Sequence, residues 1–219
     1  RSATSRPRLA RRRAPRARSR RVYRAACAGS LLALSCGAAE PVPTRVEGSL
    51  PAFELRVRDA IFVTAPLPGG GQGVFIHLTD LAGACELARA HRIQFELAET
   101  RQGRAGSRFL TWTVHNPDPG RPLGPGPVPF AFPALDANAR AGLFGFPLVA
   151  VSGDQCQTHE IAYDPSRVRL SLSKFEPRAG GVAEGTFEIG RRDHRLSGHF
   201  RARYCELDGL RAQELACSR

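Results

Sequence analysis

The chain is predicted to be all-β, an antiparallel β-sandwich or barrel with one short helix behind a disordered, signal-like N-terminal segment. Three observations carry this. Apolar side chains recur at every second residue in many short runs, glycine-rich turn signals separate those runs, and the opposite positions are largely polar. Period two places one face of each strand on a core and the other toward water. The polar faces argue against a doubly wound parallel sheet, whose strands are apolar on both sides.

Taken in order, Phe53, Leu55 and Val57 alternate with Glu54, Arg56 and Arg58. Val74, Ile76 and Leu78 alternate with Phe75, His77 and Thr79. Ile93, Phe95 and Leu97 follow, then Leu110, Trp112 and Val114 against Thr111 and Thr113. Val168, Leu170 and Leu172 alternate with Arg169, Ser171 and Ser173; Phe187 and Ile189 flank Glu188; Phe200, Ala202 and Tyr204 alternate with Arg201 and Arg203. Turns are expected at Pro68–Gly71, Gln102–Gly106 and Arg191–Asp193. Only residues 81–92 read as helix, with Leu81, Cys85 and Ala88 on one side and Asp80 placed to cap the start. The Pro- and Gly-loaded insert Asn116–Pro133 predicts a crossover loop or an edge, because proline has no amide to donate to a central ladder.

The formal charge of +12 suggests nucleic acid, but its distribution does not. Residues 1–36 hold eleven Arg and no acid, whereas residues 37–219 carry twenty acids against twenty Arg and Lys174, a net of about +1. No nucleic-acid partner is therefore expected of the folded part. Met is absent, so Arg1 is read as lying within a longer product or ahead of a true start near Val22. Residues 1–24 are mostly Arg, Ala, Ser and Pro and bury too little apolar surface to fold. The apolar run Ala25–Ser35 that follows is short of the roughly 20 residues a spanning helix needs. It has the length of a signal-peptide core behind a positive segment.

Ala33-Leu34-Ser35-Cys36-Gly37 resembles the lipobox of bacterial lipoproteins, with Ala33 standing where that family prefers Leu. The resemblance implies cleavage before Cys36, lipidation of its sulfur and membrane anchoring through the lipid; Gly37 after the Cys implies delivery to the outer membrane. Several acyl chains on one residue anchor stably where one does not. Ser19-Arg20-Arg21-Val22-Tyr23-Arg24 similarly resembles a twin-arginine export motif. Residues 1–36 are thus expected to be the targeting segment, 37–48 a linker and 49–219 one β-rich domain. Localisation is expected in the cell envelope, as an outer-membrane lipoprotein, with secreted or periplasmic as the alternative.

Outside the targeting segment stand Cys85, Cys156, Cys205 and Cys217. An even count in an exported chain reads as two disulfides with three pairings available. Cys205–Cys217 and Cys85–Cys156 are preferred, the first closing a short loop with Leu207, Leu210 and Leu215. A zinc site would want close Cys pairs, and none occurs.

Chemistry is sparse. Gly69-Gly70-Gly71-Gln72-Gly73 lacks the lysine and following helix of a phosphate loop, and reads as a hairpin turn. His194 and His199, five apart, would point to opposite faces of a strand. His77 is expected on the surface beside Asp80, and His115 and His159 lie next to loops without metal-ligand spacing. Neither Ser152 nor Ser197 sits in GxSxG. Asp136-Ala137-Asn138 opens like a calcium loop, but Gly142 comes one position late and no Glu closes it. No catalytic, cofactor or metal residue is assigned. The Phe130-Ala131-Phe132-Pro133 and Phe144-Gly145-Phe146-Pro147 segments either fill an open end of the fold or form the apolar lip of a groove. The expected function is non-enzymatic: a lipid-anchored envelope domain that binds a ligand or envelope protein or serves structurally. The alternatives are an envelope enzyme with a site drawn from scattered residues, and a cytosolic nucleic-acid binder using the Arg-rich arm.

Overall fold

The computed structural model describes residues 43–66, 71–91, 106–118, 120–131, 142–153 and 157–207. Cys36, Cys156, Cys217, Phe132, the Ile93–Leu97 run and Asp136–Asn138 lie outside the described residues. The fold is β-rich, as expected, with ten strands and one α-helix described. The strands are β1 (Arg45–Ser49), β2 (Asp59–Pro66), β3 (Gln72–Thr79), β4 (Arg108–Asn116), β5 (Gly126–Val128), β6 (Phe144–Ser152), β7 (Thr158–Glu160), β8 (Val168–Phe175), β9 (Val182–Arg191) and β10 (His194–Tyr204). Helix α1 spans Ala84–His91, and a 3-10 turn at Pro165–Arg167 leads into β8.

These strands form a single curled sheet, a half-barrel, in the order β5-β8-β9-β10-β2-β3-β4-β6-β7, with β1 added to β10. The sheet is mixed rather than purely antiparallel, because β10 runs parallel to β2 through Arg203↔Ile61 and Tyr204↔Phe62. Every other strand pair is antiparallel. Among the described residues, the chain just past β5 approaches β6 from across the curl at a bridge from Phe130 to Gly145. There the Gly145 amide donates to the Pro129 carbonyl (2.8 Å) and the Ala131 amide to the Gly145 carbonyl (3.3 Å). A Cβ on Gly145 would stand 3.0 Å from Val128 Cγ1 and 3.1 Å from the Thr113 carbonyl, so glycine lets this seam close.

The alternating residues line the inside of the curl as read. Val74, Ile76, Leu78, Leu110, Trp112, Val114, Val168, Leu170, Leu172, Phe187, Ile189, Phe200 and Ala202 share one buried cluster. Phe53 and Leu55 join it too, although residues 54–57 are irregular and form no strand. β1 begins at Arg45, inside the stretch read as linker. Strands β2 and β6 escape a period-two reading because both faces are covered: in β2, Phe62 packs inward while Ile61 and Val63 pack outward beneath α1. The Pro-rich insert holds the three-residue edge strand β5, in keeping with its composition.

The outside of β3 and β4 is the main departure from the water-facing expectation. His77, Thr79 and Thr111 are fully buried there, so His77 is not a surface residue. Burial of such polar groups requires partners, and His77 Nδ1 lies 2.8 Å from Thr111 Oγ1 while Thr79 Oγ1 accepts from the Leu81 amide. Helix α1 lays Ala84, Cys85 and Ala88 against Ile61, Val63 and Phe75. The Ala84 amide at its first turn donates to Asp59 Oδ2 (2.9 Å), and Asp80 accepts from the Arg108 amide on β4 (3.0 Å). A cap can therefore come from a strand neighbour as well as from the preceding residue.

The preferred disulfide pairing is corrected: Cys85 bonds Cys205, not Cys156, and Cys205 is thereby unavailable to Cys217. The parallel joint explains it, because β10 ends beside β2, directly under α1, where the two Cα atoms are 5.7 Å apart. Closing a span of 120 residues removes about 4–5 kcal/mol of unfolded-chain entropy. Replacing both cysteines with serine is expected to lower the melting temperature by roughly 10 °C or more. Proteolysis without reductant is expected to yield a linked Cys85–Cys205 peptide; a Cys85–Cys156 peptide in its place would overturn the pairing.

Candidate functional site

The Pro-rich insert and the start of β6 enclose a groove of about 660 Å³. Five prolines between Pro117 and Pro129 line it. They remove amide donors from its wall and restrict the backbone, so the wall's shape is set by the chain itself. Polar bonds brace it further. Asn116 Nδ2 donates to the Arg121 carbonyl (2.6 Å), and Asp118 Oδ1 accepts from the Gly120 amide (2.9 Å), forming a local turn. Asp118 and Arg121 stand exposed at the rim. Leu123 and Val128 line the groove and also belong to the inner core, each 7% exposed.

Next to Asn116, His115 forms an aromatic stack on the outer face of β4 and β6. Its ring lies parallel to Phe144 at 4.7 Å and near-parallel to Phe146 at 6.1 Å. The register places His115 directly across from Phe144, and Gly145 between the two phenylalanines points the other way. Partial burial disfavours the imidazolium and lowers the His115 pKa from the usual histidine value. Phe144 and Phe146 thus sit outside the curl, and Phe130 packs against the inner core; none of the three lines the groove.

Other sequence candidates are dispersed. His194 and His199 occupy opposite faces of β10, as their odd spacing requires. Ser152 is buried and its Oγ donates to the Ser107 carbonyl (3.3 Å), and Ser197 faces the polar exterior of β10. Among the described residues no three His, Cys, Asp or Glu side chains are grouped to hold a metal ion, and no helix is long and apolar enough to cross a membrane.

A second polar constellation surrounds the disulfide. Arg203 reaches Asp59 Oδ2 (3.1 Å) and Glu86 Oε2 (3.3 Å). Burial opposes its charge, but hydrogen bonds to Asp59 and Glu86 outweigh this and raise its pKa; Glu86 is lowered by a backbone hydrogen bond and then by Arg203. Arg203 bridges the two carboxylates and ties α1 and β2 to β10, so the role of the three groups is structural.

The His115 stack has a pH signature. The folded pKa lies below the unfolded value near 6.5, so the folded state binds fewer protons in that window. Stability is expected to be full above that value and to fall as pH drops through it toward the folded pKa. Nuclear magnetic resonance titration of the ring is expected to give a midpoint under 6.5, which Phe146→Ala moves upward by exposing the ring; a midpoint above 6.5 would refute the burial.

No family model matches this chain, no curated protein matches it in sequence, and no solved structure matches it.

Proposed function

We propose that this protein is a lipid-anchored component of the bacterial envelope whose β-domain is a binding module, with the Pro-lined groove as its binding surface. The observation that carries the reading is the buried Cys85–Cys205 bond, since disulfides form and persist in oxidising compartments. It accords with an exported chain that begins with an Arg-rich segment, a short apolar run and a lipobox at Cys36. The groove supports binding in preference to chemistry. Its wall is rigidified by proline, and its titratable members Asp118 and Arg121 lie at exposed positions, whereas a catalytic carboxylate or histidine is tuned by a shielded site. The near-neutral folded part leaves the Arg-rich segment to the export machinery.

The test is the N-terminus of the protein expressed in a bacterium, read by mass spectrometry. A mature chain starting at acylated Cys36, absent from Cys36→Ala, is the expected result. An unprocessed cytoplasmic chain with Cys85 and Cys205 alkylated without reductant would overturn it.

A further inference from the structure

We propose that the groove continues inward to Trp112, and that its ligand is an elongated, neutral, apolar molecule whose carbonyl or ether oxygen accepts the Trp112 indole N–H. This rests on the reading of the groove as a binding surface. Trp112 is 1% exposed and its Nε1 is buried without a hydrogen-bond partner. A buried indole N–H ordinarily finds an acceptor, and one that does not calls for a reason. Trp112 stands on β4 between Ile76 of β3 and Pro147 of β6, and its ring lies 6.4 Å from that of Phe187 across the curl. Phe187 pairs with Leu170, and Leu170 with Val128, so the indole belongs to the same packed layer as the groove floor.

What separates the groove from this layer is slight. Leu123 and Val128 face both, and the strand that carries Val128 is three residues long. Among the described residues its far side meets β6 through the Phe130–Gly145 bridge, whereas β3 and β4 are paired from Gln72↔Asn116 to Thr79↔Phe109. Local opening follows the fewest hydrogen bonds, so the β5 seam is where a chain-like apolar ligand enters. The acceptor must be neutral, because a carboxylate placed in this apolar layer would lose its hydration without a countercharge.

The chain has one tryptophan, so the full-length protein labelled with nitrogen-15 has a single indole N–H resonance to follow. Methyl decanoate is the probe and decane the acceptor-free control. Methyl decanoate is expected to move the indole proton downfield and saturably, decane to leave it in place, and Trp112→Phe to weaken ester binding roughly tenfold, the worth of one hydrogen bond. If Leu123 and Val128 resonances move while the indole does not, the inward continuation is wrong and the groove stands as a surface site. If the indole shows a persistent cross-peak to internal water and ignores the ester, water is its partner and the proposal falls. If no groove resonance moves with either probe, the ligand class falls and the groove loses its claim as an apolar binding surface.

Discussion

Between the antiparallel run β2-β3-β4-β6-β7 and the run β5-β8-β9-β10 lies one short parallel joint, Arg203↔Ile61 and Tyr204↔Phe62, extended by the Cys205 amide donating to the Phe62 carbonyl (2.8 Å). A parallel ladder of this length is weak by itself. The side chains around it are accordingly bound together. Phe62 packs against Tyr204 and Phe175 with ring centroids 5.2 and 5.4 Å away. Asp59, two residues before Ile61, joins Arg203 and the first amide of α1, and one residue beyond Tyr204 the chain is bonded covalently to that helix. Remove the joint and the curl has no reason to hold its two runs at the angle that brings Gly145 to Phe130. The groove, framed by β5 on one side and β6 on the other, depends on that angle.

Much of the fold was legible in the sequence, and the parts that were not share a cause. Alternation identifies a strand only when one face meets water. It found β3, β4, β8, β9 and β10, whose inner residues are those named from spacing. It missed β2, whose Ile61-Phe62-Val63 run is buried on both faces; β6 showed only as the aromatic segment Phe144–Pro147, without alternation. Proline is tolerated in β6 because β7 extends its ladder on the second side only at Ala150–Ser152. His77 was misplaced for a related reason: its polarity suggested solvent, but Thr111, thirty-four residues on, supplies its partner across the sheet. Long-range pairings of this kind leave no trace in local composition. The disulfide is a further case, since chain proximity favours Cys217 for Cys205 and topology delivers Cys85.

The candidate site was half legible. The Pro-rich insert and the aromatic segments stood out as composition; the insert lines the groove, and Phe144 stacks on His115. Their juxtaposition with His115 was hidden, because it follows from the β4–β6 register, which sets Phe144 against His115 rather than one residue along. A one-residue slip would send those rings into the core and Gly145 outward. Gly145 is the local signal consistent with this register: a Cβ there would stand tight against Val128 and Val114 at the seam.

The joint also sets an order of events. β2 and β10 stand near opposite ends of the described chain, and the covalent link beside them spans 120 residues. Contacts so distant in sequence are rewarded only after a large loop has been closed. A growing or translocating chain can form the β2–β3–β4 hairpins early, but the first run has nothing to curl against until the last strand has arrived. Local hairpins can thus precede closure, and the bond between Cys85 and Cys205 can form only once β10 has come to lie beside β2, so oxidation acts as a latch on an already assembled sheet.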